Sequence, residues 1–196
     1  MSAYLKVITG PMFSGKSEEL IRLMRRHTYA RKRIIAIKPK TDTRQNGIRS
    51  RQINEAGESI TFAEFPALEV SDRAELSAIV TEHIPDVLAI DECHFFGPWI
   101  TEYIHSLLVD PKNNLIIYIV GLDQESHCKT FGPMGDLMAL ADEVVKMKAI
   151  CFNCGQEANV TIDKSGTVRG EGEIRPGDIE IYEARCRTCW RPPQND

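Results

Sequence analysis

The chain has 196 residues, room for one full-sized core and a small appended module but not for two large domains. Hydrophobic residues make up 42% and charged residues 27%, which excludes an intrinsically disordered chain. The net charge is −4, the pI is near 5.8, and no run of five or six Lys or Arg exists, so a broad surface for nucleic acid or another polyanion is not expected.

Residues 4–9 are short, largely apolar and β-rich, then give way to a Gly/Pro/Ser turn and an amphipathic stretch from 18 to about 31. Leu20, Leu23, Met24 and His27 sit there at helical spacing, which predicts strand, loop, helix. Arg22, Arg25, Arg26, Arg31, Lys32 and Arg33 read as a solvated face. A second strand is predicted over 34–37, and Asp72 with Glu75 three residues on marks the start of a helix through Leu76, Ile79 and Val80. Residues 87–90 form a third strand. A helix over 99–108 precedes a fourth, β-branched strand over 115–120, a short helix covers 133–140, and a last strand over 144–150 leads directly into Cys151. Strands alternating with helices predict a parallel α/β sheet covered on both faces. Beyond that strand the composition turns to Gly, charge and Cys, placing a boundary near Lys148, with an α/β domain at 1–148 and a small domain at 149–196. The chain opens without a charged leader and long apolar core, and no apolar run reaches membrane-spanning length, so a cytoplasmic protein without a membrane partner is expected.

Residues 10–17 read GPMFSGKS, a complete P-loop pattern set between a predicted strand and a predicted helix. Each residue type has a reason. Gly10 and Gly15 let the loop that runs through Pro11, Met12, Phe13 and Ser14 turn its backbone N–H groups, which Pro11 alone lacks, around phosphate oxygens, Lys16 neutralises charge on the β and γ phosphates, and the Ser17 hydroxyl suits a magnesium ion. The apolar run ending at Ile90 is followed by Asp91 and Glu92, where a second nucleotide-site carboxylate belongs in a parallel sheet. Asp91 is the expected magnesium ligand. Glu92, one residue on and expected to point to the opposite side, is the candidate base for an attacking hydroxyl or water. ATP with Mg2+ is therefore the expected ligand of residues 10–17 together with Asp91, Glu92, Cys93 and His94.

Cys151, Cys154, Cys186 and Cys189 form two C-x-x-C pairs about thirty residues apart. Four thiolates complete a tetrahedral Zn2+ and leave no open position, so the expected zinc is structural. It would staple a Gly-rich lobe with few apolar residues. Cys93 and Cys128 remain as buried or tolerated thiols. On the cysteines alone a nucleic-acid-binding ribbon, as in a nucleic-acid-stimulated ATPase, stays open, although the acidic balance and the lack of a basic groove stand against it, and an ATP-binding regulator without chemistry is a third reading.

The joint order of GPMFSGKS, DECHFF (91–96), GLD (121–123) with FGPM (131–134), and YEARCRTC (182–189) resembles the type II thymidine kinases over nearly the whole chain, residues 5–190. The resemblance implies a RecA-like P-loop sheet with a C-terminal zinc ribbon and lasso that closes over the base, and ATP-dependent phosphorylation of thymidine at its 5′-hydroxyl. It implies Glu92 as the base on that hydroxyl, and Met12, Asp42, Arg44, Phe95, Leu122, Phe131, Gly177 and Tyr182 around the nucleoside. It also implies a homotetramer with thymidine triphosphate as feedback inhibitor. Departures from the family pattern are His94 in place of Gln, Ser126 in place of an aromatic, Thr161-Ile162-Asp163 in place of Thr-Gln-Arg or Thr-Lys-Arg, and Gly177-Asp178 in place of a double glycine. If the metal only holds the lid, its loss is expected to spare ATP contact.

Overall fold

The computed structural model describes residues 2–42, 47–53, 59–164 and 181–190. In chain order the elements are β1 (Tyr4–Thr9), α1 (Lys16–Tyr29), β2 (Ile34–Pro39), β3 (Ile48–Ile53), β4 (Ser59–Phe65), β5 (Leu68–Val70), α2 (Arg73–His83) and β6 (Val87–Ile90). A 3₁₀ turn (Cys93–Phe95), α3 (Trp99–Val109), β7 (Ile116–Gly121), α4 (Met134–Leu140) and β8 (Glu143–Lys146) follow. The chain then runs through β9 (Ala149–Ile150), β10 (Glu157–Ala158), β11 (Val160–Asp163) and β12 (Tyr182–Arg185).

The apolar runs become the centre of a parallel sheet in the order β5-β2-β6-β7-β1-β8. With β7 inserted between β1 and β6, this is the RecA-like arrangement that the resemblance implies. Alternation along each strand divides its residues between two cores. Leu5, Val7, Leu88, Ile90, Ile117 and Ile119 face Leu76 of α2, Ile100 and Ile104 of α3 and Leu137 of α4. Ile8, Val87, Ala89, Tyr118 and Val120 face Leu20, Ile21 and Met24 of α1. All four residues of β6 are buried, as a strand covered on both faces requires.

Helix α1 begins at Lys16, two residues earlier than its apolar spacing predicts, because left-handed Gly15 (φ 83°) turns the loop straight into the first helical bond, Glu19 N–H to Gly15 O at 3.0 Å. Arg22, Arg25, Arg26, Arg31, Lys32 and Arg33 are exposed, a solvated face. Helix α2 starts where Asp72 and Glu75 place it. Two features escaped the sequence reading. The antiparallel hairpin β3–β4 packs Ile48 and Ala63 under α1, and β5 adds a short edge strand. The single strand expected over 144–150 is instead two. The β8 ladder with β1 ends at Thr9↔Lys146 because β1 itself turns at Gly10, and after Met147 donates to Thr9 O (2.8 Å) the chain enters β9, which pairs antiparallel with β10. Strands β11 and β12 form another antiparallel pair, with Thr161 opposite Ala184 and Asp163 opposite Tyr182. Among the described residues no helix is long and apolar enough to cross a membrane.

Candidate active site

The loops that carry the singled-out residues leave one edge of the sheet. β1, β6 and β7 are parallel, and Thr9 lies opposite Gly121 while Ile90 lies opposite Ile119. Residues 10–15, 91–95 and 122–131 therefore emerge side by side at the carboxyl ends of the strands, where open α/β sheets bind ligands.

The glycine loop is held by its own atoms and by β8. A Cβ on Gly10 (φ 138°) would stand 2.3 Å from Met147 O, so only glycine passes there. Ser14 Oγ donates to Pro11 O at 2.8 Å, and the Lys16 ammonium, 8% exposed, donates to the same carbonyl at 2.6 Å. Phe13 adopts a left-handed φ of 63°, a conformation disfavoured for a bulky side chain. Met12 and Phe13 contact the C-terminal segment: the Met12 N–H donates to Thr161 Oγ1 of β11 at 2.8 Å, and the Phe13 ring lies 5.8 Å from that of Phe152 in the turn after β9.

Asp91 is nearly buried at the end of β6, its N–H bonded to Ile37 O at 3.0 Å. Its Oδ2 faces Ser17 Oγ at 3.4 Å, and its Oδ1 accepts from the Glu92 N–H at 3.0 Å. Two hard oxygens so placed suit a magnesium ion. Glu92 is not aimed by strand alternation, since the strand has ended. It adopts a left-handed conformation (φ 50°, ψ 39°) that swings the chain into the 3₁₀ turn, closed by Phe95 N–H to Glu92 O at 3.0 Å. A non-glycine residue held there is backbone strain of the kind that collects at functional sites. Cys93 faces the core; burial pushes its thiol far up, Asp91 adds to the shift, and the group is an inert thiol.

His94, buried, takes the place of the family's glutamine. Its Nδ1 accepts from the Leu122 N–H at 3.1 Å and lies 3.6 Å from Glu92 Oε2. Gly121 and Gly132 make room: added Cβ atoms would stand 3.1 Å from His94 Nδ1 and 2.4 Å from His94 O. The ring packs against Phe95 (4.0 Å) and Phe131 (4.6 Å), themselves edge to face at 5.9 Å, giving an aromatic wall beside Glu92. Phe131 is set by its N–H to Asp123 O (3.1 Å), and buried Asp123 pairs with Lys146 of β8. Ser126 carries no ring, but its carbonyl accepts from the indole of Trp190 at 3.1 Å, so an aromatic from beyond Cys189 stands against that loop.

Asp42 is buried beyond β2, where fully buried Lys38 bonds its carbonyl at 2.8 Å and approaches Asp42 Oδ2 at 3.6 Å and Glu69 Oε1 at 3.8 Å. The lysine was legible as the one charge in the run IIAIKP, and the sequence reading passed over it. Tyr182 opens β12 opposite Asp163. Arg44 and Gly177 lie outside the described residues.

The sulfurs of Cys151, Cys154, Cys186 and Cys189 all lie within 4.8 Å of one another, the Cys154–Cys186 pair at 3.7 Å. Bonds of about 2.3 Å to a tetrahedral ion give edges of about 3.8 Å, so the set fits zinc. Donors already face the sulfurs, as bound thiolates need: the Cys189 N–H approaches Cys186 Sγ (3.4 Å), pulling that thiol below its ordinary value, and the Asn153 amide donates to Cys189 Sγ at 3.2 Å. Thr161, noted in the sequence only as part of a departure, proves to be the hydroxyl that meets the glycine loop.

The model of the family described as thymidine kinase matches residues 3–190. A thymidine kinase from Mesoplasma florum is 35% identical over 195 residues, 96% of this chain and 91% of its own. One from Coprothermobacter proteolyticus is 39% identical over 193 residues, 97% and 91%. Among solved structures, Bacteroides Pif1 bound to ssDNA overlaps 62% of this chain, which spans 29% of that protein, at 16% identity and a TM-score of 0.32, a likeness too slight to carry an argument. With a family match spanning nearly its whole length and relatives covered almost end to end, the chain belongs to the thymidine kinase family.

Proposed function

We propose that this protein transfers the γ-phosphoryl group of ATP to the 5′-hydroxyl of thymidine, with Glu92 as the base. One observation carries the reading beyond family membership: Glu92 is held in a left-handed turn directly after Asp91, on the sheet edge that also carries the glycine loop and Lys16. As the 5′-oxygen attacks the γ-phosphorus, its proton passes to Glu92 and the bond to the β–γ bridging oxygen breaks, giving thymidine monophosphate and ADP. Ser17 and Asp91 would hold a magnesium ion, which would supply charge neutralisation on the transferring phosphates. Lys16, whose ammonium rests on Pro11 O within the same loop, would neutralise charge on the β and γ phosphates.

Phe95, Phe131 and Leu122 wall the nucleoside in this reading, with Met12, Asp42 and Tyr182 around it and Arg44 and Gly177 assigned from the sequence. A structural zinc on the four cysteines and a division near residue 148 complete the picture. Cytoplasmic location, a homotetramer and inhibition by thymidine triphosphate belong to the same reading, supported by family resemblance, and no nucleic-acid partner is proposed.

ADP release measured with thymidine, with other nucleosides, with single-stranded DNA and with nothing added tests it. Thymidine-dependent release is expected; DNA-dependent release would make the protein a motor, and silence a regulator. Glu92→Gln should lower kcat by roughly 10²- to 10⁴-fold while ATP affinity stays within about twofold. Full activity in that variant would remove Glu92 from its role.

A further inference from the structure

The glycine loop carries a strain that it does not resolve alone. Phe13, at φ 63°, is a bulky residue in a backbone conformation that glycine prefers, and such a conformation persists only where its surroundings over-determine it. Ser14 and Lys16 tie the far side of the loop to Pro11 O. The near side, at Met12 and Phe13, meets two groups of the C-terminal segment, one in β11 and one in the turn after β9. Thr161, 6% exposed, accepts the Met12 N–H at 2.8 Å, and the Phe152 ring, one residue after Cys151, lies against the Phe13 ring at 5.8 Å and 53°. Thr161 is itself fixed by its place in the β11 ladder opposite Ala184, two residues before Cys186.

We propose that Thr161 is a positioning residue for the phosphate loop: its hydroxyl, held by the cysteine-bound strands, turns the Met12 amide outward and keeps Phe13 in the conformation in which the following amides face the phosphates. The lobe is then the outer half of the phosphate-donor site as well as a cover for the nucleoside, and loss of its metal reaches ATP binding. The proposal rests on residues 10–17 being a phosphate loop, and its test needs no nucleoside.

Equilibrium binding of Mg-ATP and of inorganic tripolyphosphate is compared in wild type, Thr161→Val and Thr161→Ser, each checked for one zinc per chain. Valine keeps the shape and removes the acceptor, stranding the Met12 N–H, so both ligands should bind roughly 5- to 20-fold more weakly, while serine stays within about twofold of wild type. Unchanged binding in the valine variant overturns the proposal, as does equal weakening by valine and serine, or weakening for ATP without tripolyphosphate. A test in the wild type covers failure of the valine variant to fold: in ¹⁵N-methionine-labelled protein the Met12 amide should be protected from hydrogen exchange, and exchange at the rate of an open loop overturns the clamp. If both ligands bind as expected but thymidine elicits no ADP release, the kinase reading falls and the clamp stands.

Discussion

The sheet and the cysteine-bearing strands close themselves in opposite ways. In the sheet, two layers of Leu, Ile, Val and Met cover both faces of β1, β6 and β7, and the site loops are carried on strands that packing alone makes rigid. In β9 to β12 the buried cluster is three alanines and two cysteines, side chains with little area to remove from water. At about 25 cal/mol per Å² such a cluster does not offset the chain entropy of the segment it orders. The contrast teaches why one chain uses two devices. A phosphate loop needs a fixed platform, whereas strands that must lie against that loop need only a cross-link that sets their geometry, and four thiolates on one ion would supply it.

Metal removal should break the comparison most visibly. Structural zinc contributes on the order of 10 kcal/mol to folding in small cysteine-rich modules. Stripping it with a chelator, or Cys186→Ser, should abolish amide protection in β9 to β12 while β1, β6 and β7 stay protected, read by hydrogen exchange beside elemental analysis. Retained protection in the metal-free strands would mean that the alanine cluster suffices and that the two regions are alike after all.

Truncation of the two cores comes next in size. Leu88→Ala, at a fully buried site between α2, α3 and the neighbouring strands, should cost about 3 kcal/mol in denaturant unfolding. Val160→Ala, equally buried but within β11, should cost clearly less because the proposed cross-link, more than the methyl groups, sets its surroundings. Equal costs would dissolve the distinction.

The same contrast governs what could be read from the sequence. The sheet was legible because parallel strands buried on both faces are unbroken apolar runs, and VLAI and IIYIVG admit few other readings. Residues 10–17 and 91–92 were legible because each chemical demand falls on neighbours in the chain. What escaped was set by partners distant in sequence. Glu92 was expected on the far side of a strand, and a left-handed turn aims it instead. The break at Met147 follows from where β1 ends, and the hairpin Ile48–Phe65 from the α1 face that it covers. Thr161 carries no local sign that its hydroxyl meets Met12, 149 positions away.

The smallest expected effect lies at the rim of the sheet region, where packing thins. Helix α2 buries only Leu76 completely, so its start depends on polar contacts: Asp72 Oδ1 accepts the Glu75 N–H at 3.0 Å, and the Glu75 carboxylate takes the Ser71 N–H at 2.9 Å and Lys40 Nζ at 3.0 Å. Asp72→Ala should lower stability by about 1 kcal/mol, with Asp72→Ser recovering most of it, measured as a urea midpoint at unchanged slope. The Ser71 amide, and after it Lys40, hold the Glu75 carboxyl below its ordinary range. A carboxylate whose folded pKa is depressed stabilises above its unfolded value, near 4.3, and loses that contribution as pH falls through the lower folded one. The difference between wild type and Glu75→Gln should therefore be present at pH 7 and shrink below about pH 4. If it persisted undiminished in acid, the contact would be acting through shape and not charge, and the rim of the sheet would be packed like its centre.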